Sequence, residues 1–368
     1  MGVPLADQEN RDRICFDLAT TLVVEAAAGT GKTTALVKRM VEALASGRAR
    51  LDEMVAVTFT EAAAGELKLR LRAAIERDRQ DERRSPAERD QLRNALPQLE
   101  VARIGTIHAF CAELLRERPV EARVDPQFQV APDDVARRLF ARVFDRWFEG
   151  QLAEPGPGVR RALRQQVRGR RFEDGPRARL RRAGWELVQW RDFPTPWRRD
   201  AFDRDAAIDA VMEALAAVGP APSITERSDY SDRSVHEIDR FLADVARREQ
   251  LAGRDDDGLE AELRDFSTGR HWRWTGSSYD RDPDRAARRQ RRTVAKALLD
   301  DFVRQAGADL APPLRDDLWP LVEDYERLKA RAGCLDFVDL LLRARDLVRD
   351  DAGVRSQLQE RWTHIFVD

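Results

Sequence analysis

The stretch "AAAGTGKT", residues 26–33, constrains the fold of this chain more than any other part of its sequence. It follows a short apolar run, residues 22–24, and precedes a segment in which apolar residues recur every three or four positions. The run predicts a parallel strand buried on both faces, and the recurrence predicts a helix that ends near Gly47. A strand, a small-residue loop and a helix in this order are the setting of a phosphate-binding loop.

Each part of this loop has a physical reason to hold phosphate. Gly29 and Gly31 allow the backbone to curl so that successive N–H groups point inward, and the helix N-terminus adds partial positive charge. Lys32 can reach the β- and γ-phosphates of a nucleotide, and the Thr33 hydroxyl can ligate Mg²⁺. We therefore predict a site for ATP and Mg²⁺, although Ala26 stands where the strict pattern has glycine. The alternative is a turn that only packs a helix against a sheet.

Strand and helix patterns alternate up to about residue 131, which predicts a parallel sheet covered by helices. The next part of the chain shows amphipathic helical patterns and almost no strand runs, and the final residues return to strand and helix. The predicted fold class is therefore α/β, a P-loop NTPase sheet with an inserted α-helical domain. The predicted division is residues 1–132, the helical insertion 133–313, and the return 314–368.

Composition bears on four further properties: core size, nucleic-acid binding, cysteine chemistry and membrane association. Of the residues, 42% are hydrophobic, which is enough for sizeable cores, and the formal net charge is only −2. Any nucleic-acid site must therefore be a local basic patch. The cysteines Cys15, Cys111 and Cys334 show no paired spacing, which predicts a reducing, cytoplasmic setting without a zinc site or disulfide framework. No apolar stretch is long enough to span a bilayer, so we expect no membrane association.

Two stretches that end the second and third predicted strands would lie at the same sheet edge as the loop, where open α/β sheets bind ligands. Their hydroxyls and helix N-terminal amides can hold phosphates without reading base sequence, and an exposed phenylalanine can stack a nucleobase. The alternative is that the phenylalanines belong to the core and the threonines only end strands. The residues concerned are Thr58, Phe59, Thr60, Thr106, His108 and Phe110.

In order and spacing, "AAAGTGKTT", "VTFTEAAAGELKLRL" and "IGTIHAFCAELLRE" resemble motifs I, Ia and Ib of UvrD-like superfamily I DNA helicases. The wording is most similar to the RecB/AddA branch of helicase–nuclease subunits. "CLDFVDLLLRA" resembles the segment before motif II, and "HIFVD" resembles the motif II strand. The resemblance covers about residues 1–132 and 325–368 and implies a RecA-like domain 1A, interrupted by a helical insertion called 1B.

The resemblance also implies roles for single residues. Lys32, Thr33 and Asp368 would be catalytic, with Thr33 and Asp368 as ligands of Mg²⁺. Gln8 stands where the adenine-reading glutamine of the family's Q-motif would lie, and Ala62 replaces a frequent lysine. The threonine, phenylalanine and histidine side chains of motifs Ia and Ib would contact single-stranded DNA. The nucleotide-binding set is Gln8, Ala26, Ala27, Ala28, Gly29, Thr30, Gly31, Lys32, Thr33 and Thr34.

The implied function is ATP-dependent movement along single-stranded DNA, or through a junction of single and double strands, in the 3′ to 5′ direction. The expected context is recombination and double-strand break repair beside a second, RecC- or AddB-like subunit. In the family a glutamate follows the residue equivalent to Asp368, so we expect the chain to be the first lobe of a longer motor, with little hydrolysis of its own. A nucleotide- and DNA-binding scaffold without turnover and a P-loop kinase of small molecules remain alternatives.

Two weaker patterns stay open. The stretch from Ser267 to Arg292 interleaves aromatic residues with arginines, as nucleic-acid contacts do, but a loop followed by a solvated helix is the favoured interpretation, because charge runs usually face water. Asp336 and Asp339 resemble a metal pair, but their position at a predicted helix start indicates capping residues that face solvent.

Overall fold

The computed structural model describes residues 7–27, 29–165, 175–198, 200–220, 230–273 and 283–368. Within these ranges most residues are helical. The helices are α1 (Gln8–Phe16), α2 (Lys32–Ala45), α3 (Glu61–Asp78), α4 (Pro86–Ala95), α5 (Ile107–Glu117), α6 (Asp133–Ala153), α7 (Pro157–Arg164), α8 (Pro176–Gln189), α9 (Arg204–Ala216), α10 (Tyr230–Ala252), α11 (Asp256–Ser267), α12 (Pro283–Arg331), α13 (Phe337–Asp350) and α14 (Ala352–Arg361). No helix of the described ranges is long and apolar enough to cross a membrane.

The strands form two small parallel sheets. They are β1 (Met54–Thr58), β2 (Arg103–Thr106), β3 (Gln129–Val130), β4 (Cys334–Leu335) and β5 (His364–Val367). The larger sheet has the order β2-β1-β5, and β3 pairs with β4 in the smaller one. The predicted mixed α/β class with a parallel sheet is therefore confirmed.

Every residue of the central strand β1 is buried, which explains why its sequence reads as an uninterrupted apolar run. Because side chains alternate across a strand, Met54 and Ala56 enter a core built with α2, α3 and α4. Val55 and Val57 enter a second core built with α5, α13 and α14. The sheet is thus clamped between two helical layers, and this fixes where its carboxyl edge lies.

The chain divides into two compact units, one of residues 1–134 and 333–368 and the other of residues 135–332. The first boundary lies two residues from the predicted one. The predicted second boundary, between residues 313 and 314, falls inside α12 and differs from the observed one. Pro312, Pro313 and Pro320 lie within this 49-residue helix, which continues through them.

The predicted strand at residues 22–24 is not formed, which corrects the sequence prediction. Residues 21–27 make no strand hydrogen bonds, and Val23 is 91% exposed. A β-branched run becomes a strand only where a neighbour supplies a ladder of hydrogen bonds, because strand propensity depends on context. In the described part of the chain β5 is an edge strand of the larger sheet, and residues 22–24 do not pair with it.

The second unit is mostly helical, with no strand in its described residues, and has two apolar cores, one formed chiefly by α9–α12 and one by α6, α7, α8 and α12. Gly158 lies so close to α12 that an added Cβ would overlap the backbone of Leu314. The Asp317 carboxylate accepts hydrogen bonds from the N–H groups of Gly158 and Val159. A side chain of α12 therefore satisfies the free amides at the start of α7.

Candidate nucleotide and nucleic-acid site

The loop at residues 26–31 has the backbone shape that its sequence predicts. Gly29 and Gly31 have φ angles of 78° and 91°, which residues with a side chain rarely adopt. Gly31 is the residue before α2, so the loop ends directly at a helix N-terminus. Ala26 does not have a positive φ, which explains why alanine is tolerated there. Ala28 lies outside the described residues.

Donors inside the loop are directed at its own carbonyl groups. The Lys32 ammonium donates to Ala26 O at 2.8 Å and to Ala27 O at 3.2 Å. The Thr30 hydroxyl donates to Ala27 O at 2.8 Å. Lys32 is exposed and Thr34 lies exposed in the first turn of α2. The ammonium is thus held over the loop, where a phosphate chain would compete for it with neutral carbonyls.

The decisive contact joins two parts of the sequence that are 335 positions apart. The Thr33 hydroxyl donates to Asp368 Oδ2 at 3.0 Å. Asp368 is held there because its own N–H donates to Val57 O, at the end of the ladder between β1 and β5. A hydroxyl and a carboxylate are the oxygen ligands that Mg²⁺ prefers beside substrate phosphates. The donor set therefore fits Mg²⁺ held together with a nucleotide.

A cavity of about 420 Å³ opens beside the loop. Ile14 of α1 and the apolar residues 22–24 line one part of it, polar and charged residues of α1 line a second, and Gly31 and Lys32 line a third. This volume lies within the range of small-molecule sites. A site with an apolar wall and a cationic, amide-rich end matches the two ends of a nucleotide, its base and its phosphates.

Arg11 is a residue of this cavity that the sequence analysis missed. Its Nη1 donates to Thr30 O at 3.3 Å, and its Nε donates to Asp7 Oδ2 at 3.0 Å. The hydrogen bond from Arg11 lowers the pKa of the Asp7 carboxyl. By contrast, the Gln8 amide donates to Asp12 at 2.9 Å and does not line the cavity. Helix α1 thus presents Arg11 to the loop, and the adenine contact implied for Gln8 stays a prediction.

One arginine of α2 holds α1 and the following turn in position. Arg39 donates through Nη1 to Ile14 O at 2.8 Å and through Nη2 to Thr20 O at 2.9 Å. Both acceptors are backbone carbonyls near the C-terminus of α1, where free carbonyls attract cations. The sequence of α1 alone does not predict this interaction, because Arg39 lies 25 residues after Ile14.

The ends of β1 and β2 form a row with Asp368 along the carboxyl edge of the sheet. Thr58 pairs with Thr106 in the parallel register, and Val57 pairs with Val367. Thr58 and Thr106 are only 3% and 7% exposed. The Thr58 hydroxyl donates to Thr60 O at 3.0 Å. Thr58 therefore braces the turn that leads into α3.

Thr60 and Thr106 cap the two helices that start at this edge. The Thr60 hydroxyl accepts from Ala63 N, and the Thr106 hydroxyl accepts from Ala109 N, both at 3.1 Å. Thr106 also donates to Glu61 Oε1 at 3.2 Å, which links the starts of α3 and α5. These interactions occupy the hydroxyls predicted to contact DNA, so the structure gives Thr58 and Thr106 a structural role.

The aromatic residues of the edge differ in accessibility. Phe59 is 77% exposed at the tip of the turn after β1, which places it in solvent rather than in the core. Phe110 packs against Trp362, with ring centroids 5.0 Å apart, and belongs to the margin of a core. His108 is half-buried, and this burial lowers the pKa of its imidazole. Phe59 therefore remains the predicted base contact, and Phe110 has a packing role.

A sequence model described as the UvrD/REP helicase N-terminal domain matches residues 6–368. The chain belongs to this family. The match confirms the resemblance predicted from motifs I, Ia, Ib and II, and it extends through the helical insertion, which those motifs do not cover.

Relatives of this UvrD/REP family member are named as subunits of an ATP-dependent helicase/nuclease. The protein of Levilactobacillus brevis is 26% identical over 410 residues, which cover 100% of this chain and 32% of the relative. Those of Geobacillus thermodenitrificans and Alkaliphilus oremlandii are 28% and 27% identical, over 87% and 95% of this chain and 28% and 31% of each relative. The chain thus spans about a third of the length of these curated relatives.

The two weaker sequence patterns of this UvrD/REP family member, the stretch 267–292 and the pair Asp336 and Asp339, can be examined in the residues that the structure describes. Trp272 packs against Phe266 and lies beneath the guanidinium of Arg292 in the second unit. Trp274 and Tyr279 lie outside the described residues. Asp336 and Asp339 form a reciprocal capping box at the start of α13, as predicted, but both are buried instead of facing solvent.

Proposed function

We propose that this chain is the ATP-binding lobe of an ATP-dependent DNA helicase or translocase, built on a RecA-like P-loop NTPase domain 1A with a helical insertion 1B. The observation that carries the proposal is the hydrogen bond between Thr33 and Asp368, beside the ammonium of Lys32. Together they supply the two oxygen ligands and the cation that a nucleoside triphosphate with Mg²⁺ requires.

In this mechanism Lys32 leaves the carbonyls of Ala26 and Ala27 for the phosphate chain, which binds a cation more strongly than neutral oxygen does. The N–H groups of the loop and the N-terminus of α2 bind the phosphates. Thr33 and Asp368 would hold Mg²⁺, which neutralises charge on the β- and γ-phosphates when bound. Arg11 stabilises the loop at Thr30.

DNA would run along the carboxyl edge of the same sheet, with Phe59 stacking on a base. The support is that β1 links the two sites: Val57 O receives the Asp368 N–H, and Phe59 follows two residues later. A displacement of β5 on nucleotide binding would therefore be passed through β1 to Phe59, the proposed base contact.

The wider role follows from the family and from relatives named as helicase/nuclease subunits. We infer a cytoplasmic motor that moves 3′ to 5′ on single-stranded DNA in recombination and double-strand break repair. The word "subunit" in those names supports a second, AddB-like protein as partner.

The nucleotide site is tested by fluorescence titration of the chain with a labelled ATP analogue, with and without Mg²⁺. Lys32→Ala is expected to weaken binding at least about tenfold, the usual worth of a lost charge-assisted hydrogen bond. Asp368→Asn is expected to abolish the gain in affinity that Mg²⁺ brings. Lys38→Ala is the matched control, because Lys38 lies on the same helix with its ammonium over the ring of Phe16. Unchanged affinity in the Lys32 variant contradicts the site.

ATP turnover with and without single-stranded DNA separates the motor from its alternatives. The chain alone is expected to hydrolyse little ATP. Joined to the remainder that its longer relatives have, a motor shows ATPase activity that DNA stimulates, whereas a scaffold binds both ligands without turnover. A small-molecule kinase shows no DNA affinity and therefore none of the salt dependence that phosphate contacts cause.

A further inference from the structure

Helix α1 forms one side of the proposed nucleotide cavity, yet little of its own surface holds it in place. It has nine residues, and Cys15 is the only one of them that is buried. A helix of this length is not stable by itself in water, so contacts with the rest of the first unit must fix its position. Because Ile14 of this helix lines the cavity, the shape of the cavity depends on those contacts.

One side chain of α2 ties two segments of the cavity wall together. Arg39 donates through Nη1 to Ile14 O at 2.8 Å and through Nη2 to Thr20 O at 2.9 Å. Ile14 belongs to the last turn of α1, where carbonyls lack partners within the helix and attract cations. Thr20 lies in the bend between α1 and the apolar residues 22–24, which line the cavity with Ile14. One guanidinium therefore holds both segments.

The same helix presents the groups proposed to bind phosphate. Lys32 and Thr33 lie in the first turn of α2, and Arg39 follows about two turns later. Arg39 does not itself line the cavity, so its effect on a nucleotide would pass through the segments that it holds. A guanidinium donates from a rigid, planar fork. Its two hydrogen bonds therefore set the distance between the phosphate-binding end of the cavity and its apolar wall.

We propose that Arg39 is a positioning residue for the nucleoside part of ATP. The inference rests on the proposed binding of ATP at the loop of residues 26–31. Arg39 holds the apolar wall where base and sugar can pack on it while the phosphates lie at Lys32. The hydrogen bonds of Thr30 and Lys32 that shape the loop do not involve Arg39. A ligand without base and sugar should therefore be insensitive to this residue.

Isothermal titration with ATP and with inorganic tripolyphosphate, each with Mg²⁺, tests this difference. Arg39→Ala is expected to weaken ATP binding about tenfold, the scale of one lost hydrogen bond of a charged group, and to leave tripolyphosphate affinity unchanged. Lys32→Ala should weaken binding of both ligands. Lys38→Ala is the matched control, because it removes a neighbouring cation of α2 that lies over the exposed ring of Phe16 on α1. Neither affinity should change in this control.

Arg39→Lys separates the fork from its charge. Lysine keeps the cation and much of the side-chain volume, but a single ammonium has no rigid fork to span two carbonyls. ATP affinity should lie between those of the natural chain and the alanine variant, with tripolyphosphate affinity unchanged. If the alanine variant does not fold, the lysine variant decides. Natural ATP affinity in the lysine variant would contradict the bridging role.

The thiol of Cys15 reports on the position of α1 independently of nucleotide affinity. Cys15 is 4% exposed, and burial raises the pKa of its thiol, so it should react with an aromatic disulfide reagent only when the helix moves away from α2. Arg39→Ala should speed this reaction, whereas Cys111, which is buried in the core with α13, should react as in the natural chain. Peptide mass analysis assigns the modified residue. An unchanged rate at Cys15 would show that Arg39 does not hold α1.

The outcomes separate this inference from the proposed function. If the natural chain binds both ligands and both variants of Arg39 bind ATP equally well, the role of Arg39 is refuted and the nucleotide site stands. If both variants lose ATP and tripolyphosphate to the same extent, Arg39 supports the loop rather than the wall, and the inference is wrong. If the natural chain binds neither ligand, the proposed function fails and this inference fails with it.

Discussion

Arg11 shows how one side chain can connect α1 to the glycine-rich loop at residues 26–31. Its guanidinium is shared between Asp7, the residue before α1, and the carbonyl of Thr30 in the loop. The side chain is one-third exposed, so a bound nucleotide can also reach it. The Asp7 carboxylate holds the Arg11 guanidinium in place and so lowers the conformational entropy that is lost when a ligand binds.

Arg11→Ala is expected to weaken ATP binding about tenfold or more, by the roughly 1.5–3 kcal/mol that hydrogen bonds of charged groups contribute. Gln8→Ala on the same helix should change affinity less than twofold, because its amide donates to Asp12. Isothermal titration of both variants with ATP and Mg²⁺ decides whether Arg11 or Gln8 contributes to nucleotide affinity. A loss confined to the Gln8 variant would restore the adenine-contact role predicted for that residue.

Helices α3 and α5 start at the sheet edge because α3 begins two residues after β1 and α5 begins directly after β2, and a threonine caps each of them. The same hydroxyls hold together the segments that present Phe59 and His108. A side-chain cap typically contributes about 0.5–2 kcal/mol, and Thr106 adds the link to Glu61. Here the capping residues indirectly set the geometry of the proposed DNA path.

Thr106→Ala should lower the free energy of unfolding of the first unit by about 1–2 kcal/mol, because both the cap and the link to Glu61 are lost. Thr106→Ser keeps a hydroxyl and is expected to retain most of the stability. Urea denaturation, followed by a signal from the first unit, measures the difference. Equal stability of the alanine and serine variants would show that the hydroxyl contributes nothing.

The molecule consists of two units with separate cores, and the proposed nucleotide site lies in the first alone. The second unit depends on close backbone contact between α7 and α12 at Gly158. It also contains a buried network in which Arg161 donates to Glu260 and Asp309. Buried ion pairs of this kind are costly to break because they leave an unpaired charge.

Gly158→Ala is expected to destabilise the second unit by at least about 1–3 kcal/mol, the usual effect of overpacking. ATP affinity of the first unit should stay within twofold. Gly150→Ala is the matched control: Gly150 lies in α6 with nothing near its added Cβ, and the change should be neutral or stabilising by up to about 1 kcal/mol. Calorimetry measures the stability of each variant, and a nucleotide titration measures its ATP affinity. A loss of ATP binding in Gly158→Ala would contradict the claim that the nucleotide site depends on the first unit alone.

Much of the fold could be predicted because its signals are local. The positive φ angles of Gly29 and Gly31, the burial of β1 on both faces and the capping role of Asp336 all follow from residue chemistry at short range. The burial of Asp336 could not be predicted in this way, since the elements that cover it come from other parts of the chain.

The sequence by itself determined the backbone shape of the glycine-rich loop, most of the alternation of strands and helices, and membership of the UvrD/REP family, because these depend on spacing and backbone preference; the strand predicted at residues 22–24 is the exception. Only the tertiary structure decided that Thr33 meets Asp368, that Thr58 and Thr106 are buried, and that Arg39 of α2 donates to α1. The physical reason is that burial and hydrogen-bond partners depend on which distant segments come together. A sequence pattern specifies what a residue can do, and the packing of the sheet edge selects which residues are free to do it.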